Sequence, residues 1–354
     1  MFLLSILSLL ISPVCPDGDW GKLSGGLESN SVYYIDDQAV GGRINNWGSN
    51  NYLKLDWQRD SLSAGIQAEW YPLALAGYPS ELKGAGISSL YFAWRHDFID
   101  VTAGSFHEQL GSGLLLRTWE DRDMGINNII TGARLNLYTP NRRLRFKLLG
   151  GLPKYGVWPS PVAAVIAGDV TADLGAFSFG GGVVDRASFG NDSGIALLAE
   201  SGGFVLPSHV VSWSARASCS AGGFTAKAEY VGKAPDFYAE QLSGAKERYI
   251  LKGGNAQLLE LTYAHGGFSG SLTFRRLENM TSRIFNTTSA PSVANTLNYL
   301  PALCMQQSYM LAGLNPYVTY ADGEMGFQGD LYYTFRRGSK LGGRYGMKLH
   351  VGGC

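Results

Sequence analysis

Hydrophobic and polar residues alternate with a period of two along most of this chain. In the segment 52–57, Leu53, Leu55 and Trp57 fall on one face, whereas Lys54 and Asp56 fall on the other. The same alternation recurs in about seventeen segments, most of them roughly eight to eleven residues long. A period of two is that of a β-strand, because successive side chains of a strand point to opposite faces of the sheet. The pattern therefore predicts an all-β chain.

Connections of two sizes join the predicted strands. Short turns are predicted at 96–97, 139–141, 220–222, 265–267 and 321–323, and long loops at 72–86, 108–127, 232–255 and 277–308. Short turns that alternate with long loops, between strands of ~9–11 residues, are typical of outer-membrane β-barrels. The alternation of short turns and long loops fails once, near 185–209, where either a strand escapes the pattern or the pattern predicts a strand that does not exist.

Composition agrees with a barrel but does not by itself select one. Glycine accounts for 47 of the 354 residues and aromatic residues for 12 %, while charged residues reach only 16 %. Basic and acidic residues are equal at 29 each, so no overall charge suggests a nucleic-acid partner. A soluble β-sandwich can have the same profile. Strand length and loop asymmetry favour an antiparallel transmembrane β-barrel with roughly 16–18 strands visible, and a secreted sandwich or solenoid is the alternative.

The two ends of the sequence carry further expectations. The N-terminus, MFLLSILSLLISPVC, has an apolar core that is too short for a membrane helix of ~20 residues. It is similar to the apolar region of a secretory signal, although no basic residue precedes it. We therefore expect a signal-like segment at 1–18 and a barrel domain at 19–354. The sequence stops within the alternating pattern at LHVGGC, so we expect further strands in the intact protein.

Several longer motifs resemble a known family. They include LESNSVYYIDD, GSFHEQLGSGLLLRTWEDRDMGINN, GLPKYG, YVGKAPD and the stretch from LNYLPALCMQQSYM to FRRGSKLGGRYG. They spread over nearly the whole chain and resemble a family of uncharacterised outer-membrane proteins from Bacteroidota, classed as a domain of unknown function. The resemblance implies an outer-membrane barrel with a longer C-terminus, and it implies no reaction or ligand.

If the apolar faces of the strands meet lipid, the opposite faces line the interior of the barrel. Basic residues outnumber acidic ones there by ten to four. The basic residues are Arg95, Arg134, Arg145, Lys147, Arg216, Lys227, Arg275, Arg336, Arg344 and Lys348; the acidic ones are Glu69, Glu229, Glu260 and Asp330. Rings of Arg and Lys favour anions, so one hypothesis is a pore for anions or polar solutes. The alternative is that these charges pair with one another and with a plugging loop.

One stretch, residues 108–128, departs from the alternation. It combines glycines, the apolar run 114–116 and six charged residues that we predict to form a plug or constriction: Glu108, Arg117, Glu120, Asp121, Arg122 and Asp123. As an inward loop it would bring carboxylates to the interior arginines, and its leucines would need cover from the barrel mouth or a partner. As a surface loop its charges would simply be solvated. An acid/base pair of Glu120 and Asp123 is a weaker third interpretation.

Evidence for catalysis is weak elsewhere. Ser105 and His107 lie two residues apart on a strand, but no third group orients them. The four cysteines lack metal-site spacing, and the glycine-rich stretches lack the setting and the lysine of a phosphate loop. We therefore expect no metal, no cofactor and no enzymatic activity, with an outer-membrane hydrolase as a minor alternative.

The sequence thus predicts a porin-like or transport-type barrel in the bacterial outer membrane, with residues 108–128 constricting or plugging a basic lumen. Membrane lipid and small polar or anionic solutes would be its partners. The rival hypothesis is a non-conducting scaffold for a secretion or surface-attachment complex, whose contacts would be made by the loops 232–255 and 277–308.

Overall fold

The computed structural model describes residues 3–5, 9–11, 20–35, 47–79, 81–160, 162–190, 193–242, 246–287, 295–300, 302–303, 317 and 319–354. It contains twenty-two strands and one helix. In chain order these are β1 (Leu3–Ser5), β2 (Leu9–Ile11), β3 (Lys22–Tyr33), β4 (Trp47–Arg59), β5 (Leu62–Leu73), β6 (Gly84–Arg95), β7 (Ile99–Phe106), β8 (Gln109–Leu110), β9 (Leu116–Arg117), β10 (Glu120–Asp121), β11 (Ile126–Asn127), β12 (Ile130–Tyr138), β13 (Leu144–Tyr155), β14 (Trp158–Pro159), β15 (Ala163–Leu174), β16 (Phe177–Ser188), α1 (Ser193–Gly202), β17 (His209–Ala221), β18 (Phe224–Leu242), β19 (Lys246–His265), β20 (Phe268–Glu278), β21 (Gly323–Phe335) and β22 (Met347–Gly353).

Fifteen long strands form one antiparallel sheet, in which neighbours in the chain are neighbours in the sheet, and β1 and β2 together occupy a sixteenth place beside β3. The order runs from β3 through β7, then β12, β13 and β15, and on to β22. Both β1 and β2 pair with β3, so two pieces of the predicted signal-like segment lie against the sheet. Among the described residues, no ladder joins either of them to β22. The prediction of further strands stays a prediction.

The sheet curves so that distant strands face one another across its polar side. Lys154 of β13 and Glu69 of β5 form an ion pair of 2.7 Å, although these strands are four places apart in the sheet. In a flat sheet four places correspond to about 19 Å, more than the two side chains can span. The predicted all-β antiparallel barrel fold is thus confirmed.

The two faces of the sheet have the polarity of a membrane barrel. On β6, Leu90 is 58 % exposed, and Phe92 and Trp94 are exposed beside it. On β5, by contrast, Gln67 and Glu69 are buried. Soluble proteins seldom bury a Glu while exposing a continuous aromatic face. A polar interior with an apolar outer band is the arrangement of a transmembrane β-barrel. Among the described residues, no helix is long and apolar enough to span a bilayer.

Connections alternate in length as predicted, with two corrections. The predicted loop 232–255 is wrong, because β18 and β19 continue as paired strands from Gly232 to Leu242 and from Lys246 to Asn255. Pro235 offers no N–H to a ladder, and a register shift between Lys233 and Asp236 breaks the alternation there. Residues 321–322 form the predicted turn, but it ends the long connection between β20 and β21 and does not join two strands on its own, because β21 begins at Gly323.

The described residues of the irregular stretch near 185–209 include a helix and no additional strand. Helix α1 buries Ile195 and Ala199, which lie one turn apart on the same face. Its C-terminus is closed by hydrogen bonds from Gly203 N to Glu200 O and from Phe204 N to Ala199 O. Gly203 has a φ of 72°, so this is a Schellman motif in which glycine avoids a steric penalty. The helix therefore connects β16 to β17.

Candidate functional site

Residues 107–129 connect β7 to β12 and fold into a compact unit of two short antiparallel pairs. Gln109 and Leu110 pair with Leu116 and Arg117, and β10 pairs with β11. Side chains fix the ends of the unit: Thr118 Oγ1 accepts a hydrogen bond from Glu108 N (2.8 Å), and Asn128 Oδ1 accepts one from Trp119 N (2.7 Å). After the role that the sequence predicts for them, we call these residues the constriction segment.

Glu108 ties the start of the constriction segment to two neighbouring strands. Its carboxylate forms ion pairs with Arg134 Nη1 of β12 at 3.1 Å and with Lys147 Nζ of β13 at 2.6 Å. The Glu108 side chain is only 9 % exposed, whereas Arg134 and Lys147 are 20 % and 29 % exposed. Arg134 Nη2 also donates to Thr102 Oγ1 at 3.1 Å. One carboxylate therefore compensates two of the predicted lumen cations.

The tip of the constriction segment reaches a different part of the sheet. Ser112 N donates to Glu229 Oε2 of β18 at 2.9 Å. Gly111 lies beside the side chains of Glu229 and Arg216, and its φ of 60° is one that glycine adopts freely. Arg216, another predicted lumen cation, is itself paired with Asp169 of β15 at 2.6 Å.

The far side of the segment contacts a buried polar cluster on β5. Glu69 accepts hydrogen bonds from Lys154 Nζ (2.7 Å), Tyr71 Oη (3.0 Å) and Asn127 Nδ2 (3.2 Å). The side chains of Glu69 and Lys154 are each only 1 % exposed. Gln67 Nε2 donates to Glu120 Oε1 at 2.8 Å. An isolated buried ion is costly, and this network supplies the required partners.

Arg122 connects the segment to the first long strand. Its guanidinium pairs with Glu28 of β3 at 2.6 Å and with Glu120 at 3.1 Å. It also lies over the ring of Tyr52, 4.6 Å from the ring centre. The contacts of the constriction segment thus extend from β3 to β18 on the polar side of the sheet.

The leucines of the segment form its apolar interior. Leu110, Leu114, Leu115 and Leu116 are buried in one cluster that also contains residues of the wall. The remaining cover comes from the connection after β20, which contributes Met280, Ile284 and Leu297. The cover needed by the run 114–116 is therefore supplied by the chain itself.

The described parts of this second connection, residues 279–287 and 295–300, contact the constriction segment through their backbone and are called residues 279–300 for short. Arg117 N donates to Leu297 O (2.9 Å), and Tyr299 N donates to Gly113 O (3.1 Å). Asn298 Nδ2 donates to both Leu114 O (3.1 Å) and Met280 O (2.7 Å). The sequence predicts 277–308 only as a loop for external contacts, since no periodic pattern in it indicates these pairings.

The other predicted site residues are dispersed. Asp121 Oδ1 accepts a hydrogen bond from Met124 N at 3.1 Å, and Asp123 is exposed. Arg145 pairs with Asp173 at 2.9 Å, and Arg275 pairs with Glu324.

Three predicted lumen arginines lie at or beyond strand ends. Arg95 is the exposed last residue of β6. Arg336 and Arg344 lie in the connection 336–346, because β21 ends at Phe335 and β22 begins at Met347. The sequence pattern extended these strands too far.

Ser105 and His107 have different partners. Ser105 Oγ bonds to Thr131 Oγ1 at 3.0 Å, whereas His107 Nε2 lies 3.4 Å from Asn127 Oδ1. Burial lowers the pKa of His107 below its ordinary value, and the contact with Asn127 opposes that shift. Among the described residues, no group of three or more His, Cys, Asp or Glu side chains is placed to hold a metal ion.

Cavities lined by described residues lie on both sides of the constriction segment. One, of about 240 Å³, lies towards the short turns and is lined by Ser112, Arg216, Lys227, Glu229 and Glu260 among others. The second, of about 600 Å³, lies towards the long connections, between the constriction segment and residues 279–300. Its lining includes Arg117, Trp119, Arg283, Asn298 and Tyr299.

Solved structures with a similar fold include outer-membrane proteins. OpdO of Pseudomonas aeruginosa is 12 % identical, with a TM-score of 0.48, and the match covers 88 % of this chain and 74 % of that chain. OmpF of Salmonella typhi in complex with daunomycin is 10 % identical over 90 % and 87 % of the two chains, with a TM-score of 0.42. The outer membrane channel DcaP of Acinetobacter baumannii is 10 % identical over 88 % and 86 %, with a TM-score of 0.35. At these identities and scores the likeness carries no argument about function.

Comparison of sequences gives a family but no activity. No curated protein matches the chain. The resemblance drawn from the motifs is confirmed at the level of a family of unknown function, and its origin in Bacteroidota stays a prediction. The model of the family of unknown function DUF6029 matches residues 1–353, and the chain therefore belongs to that family.

Proposed function

We propose that this protein is a porin-like or transport-type barrel of the bacterial outer membrane, in which the constriction segment narrows the path of small polar or anionic solutes. Its apolar outer face meets the lipid, and the short turns face the periplasm as in other outer-membrane barrels. Solutes approach from the side of the long connections, where the cavity of about 600 Å³ lies.

The observation that carries this proposal is the anchoring of the constriction segment at separate points of the wall. Glu108 is held by β12 and β13, Ser112 by β18, and Asn127 by β5. A loop held at widely spaced strands narrows the interior, whereas a loop attached at one edge would leave it open. Pairing of Arg134, Lys147 and Arg216 with carboxylates leaves the wall less basic than its sequence suggests. Selectivity therefore depends on the segment more than on the wall.

Conductance tests the proposal directly. The full-length protein is reconstituted in planar lipid bilayers, and single-channel currents are recorded in potassium chloride. Discrete small steps are expected. Glu108→Gln is expected to enlarge the steps or make them noisier, since two cations lose their partner. Glu200→Gln, a change of an exposed carboxylate on α1, is the matched control and should behave like the wild type. A membrane that stays silent with every variant contradicts the channel.

A second candidate function is a non-conducting scaffold for secretion or surface proteins, and one observation favours it. Strands β18 and β19 have 19 and 20 residues, beyond the ~9–11 needed to cross a bilayer. On their extension, Phe237 and Tyr249 stack with ring centres 5.7 Å apart, and Phe204 lies beside Phe237. A projecting aromatic ridge of this kind suits a protein contact. Silent membranes together with co-purification of a partner, lost on Phe237→Ser, would favour the scaffold.

A further inference from the structure

The cavity between the constriction segment and residues 279–300 has the size of a ligand site. Its volume of about 600 Å³ falls within the ~300–1,000 Å³ of small-molecule pockets. It lies where a solute from the long-connection side would meet the segment. Two backbone hydrogen bonds, from Arg117 N to Leu297 O and from Tyr299 N to Gly113 O, join the two segments that line the cavity. The positions of its two walls are therefore fixed relative to each other.

Two arginines in this cavity differ from the cations of the wall. Arg134, Lys147 and Arg216 each have a carboxylate within 3.1 Å. Arg117 and Arg283 are half-buried in the cavity lining, and among the described residues no carboxylate lies within salt-bridge distance of either. A guanidinium offers five N–H donors in a fork that matches a carboxylate or phosphate. The cavity thus holds two cations that are available to an incoming anion.

Aromatic rings hold one of these guanidiniums in place. Arg117 Cζ lies 4.2 Å from the ring centre of Tyr299 and 5.7 Å from that of Trp119. The two rings meet edge to face, with centres 5.3 Å apart. A stacked guanidinium loses less conformational freedom when it binds an anion. The same rings offer a flat apolar surface to the rest of a ligand.

The other polar groups of the lining contribute less charge. Asn298 donates to two carbonyls and accepts from Ser282 N, and Asn295 is bonded in both directions to the backbone of Phe285. Asp121 is the acidic residue of the lining, and its Oδ1 already accepts Met124 N. Because two arginines and one aspartate line the cavity, the net charge of its lining is positive.

We propose that this cavity binds a small organic anion, whose carboxylate or phosphate group contacts Arg117 and Arg283 and whose flat body lies against Trp119 and Tyr299. The assignment rests on the proposed passage of solutes, since it places a selective site ahead of the constriction. Anion preference then comes from this cavity and not from the paired cations of the wall.

Equilibrium titration of the detergent-solubilised full-length protein tests the site without requiring conductance. Benzoate, phenyl phosphate and the neutral isostere benzamide are the probes, and inorganic phosphate tests whether the ring is needed. Benzoate or phenyl phosphate should bind tightly enough to measure and at least tenfold better than benzamide. Arg117→Gln and Arg283→Gln should each weaken binding about tenfold or more. Arg145→Gln, which changes an exposed wall cation paired with Asp173, is the matched control and should bind as the wild type does.

Each outcome separates this inference from the proposed function. Equal binding of benzoate and benzamide, or unchanged affinity in both arginine variants, overturns the site even if the protein conducts. Arginine-dependent binding by a protein that is silent in bilayers keeps the site and overturns the channel. Arg117→Lys, which retains the charge but not the fork, guards against misfolding of the glutamine variant and should restore part of the affinity.

Discussion

The carboxylate of Glu108 is the contact whose removal should loosen the constriction segment most selectively. Glu108→Gln keeps the shape of the side chain but removes the charge that compensates Arg134 at 3.1 Å and Lys147 at 2.6 Å. The amide of glutamine can still accept a hydrogen bond from one of them. The change therefore tests the ion pairs and not the packing.

The expected cost follows from the burial of the three groups. Exposed ion pairs contribute ~1 kcal/mol or less, and breaking a fully buried pair costs about 3–5 kcal/mol. Glu108 is 9 % exposed, but Arg134 and Lys147 keep 20 % and 29 % exposure, so solvent screens part of the loss. A cost of about 2–3 kcal/mol lies between these limits. It corresponds to a roughly 30- to 150-fold change in an opening equilibrium.

Hydrogen–deuterium exchange measures this opening. Amides of residues 108–118 should lose protection by that factor in Glu108→Gln, while the amides of β16 and β17 keep theirs. Glu200→Gln on α1 should leave both regions unchanged. Unchanged protection of residues 108–118 would refute the view that Glu108 holds the segment in place.

Three further changes test other contacts of the site. Lys154→Met should lower the free energy of unfolding by about 3–5 kcal/mol, because it leaves the buried carboxylate of Glu69 without its cationic partner. Urea titration in detergent measures this loss, and a loss below about 1 kcal/mol would contradict the prediction. Gly111→Ala should increase hydrogen exchange at the tip of the segment, since an added Cβ would clash with the Glu229 side chain and the φ of residue 111 is strained for alanine. Unchanged exchange at the tip would show that the neighbouring side chains move to accommodate the Cβ. Because burial lowers the pKa of His107, the unfolded segment binds a proton more readily than the folded one. The stability that neutral His107 contributes to the segment is fully present above the unfolded pKa of ~6.5 and is lost as pH falls below that value. Hydrogen-exchange protection of the segment should therefore decrease at low pH, and His107→Gln should remove this pH dependence.

Much of the fold was predictable because each long strand carries its own signal. The alternation of Leu53, Leu55 and Trp57 with Lys54 and Asp56 reports which face meets lipid without reference to any other strand. The alternation fails where backbone geometry interrupts it. The sequence predicts a loop in place of the extension of β18, because a register shift beside Pro235 breaks the period.

The candidate site was predictable only in part. The charges and the broken period identified residues 108–128 as unusual, but spacing along a chain cannot assign partners. Glu108 contacts Arg134, whereas Glu120 contacts Arg122 of its own segment and Gln67 of β5. These choices depend on the three-dimensional path of the segment.

Residues 279–300 illustrate the same limit more strongly. Their pairing with the constriction segment depends on single contacts such as Asn298 Nδ2 to Leu114 O, which connect residues far apart in sequence. No periodic pattern records such a contact, so the cavity between the two segments could be recognised only from the structure.

The central claim, that the constriction segment narrows the interior, is tested most directly by replacing residues 109–127 with a short Gly-Ser turn. The replacement leaves β7 and β12 to pair as they do now, and circular dichroism with heat-modifiable gel migration checks that the barrel forms. Single-channel conductance in planar bilayers is then compared with that of the intact chain. Clearly larger current steps in the replacement are predicted. Steps of unchanged size from a folded barrel would contradict the account.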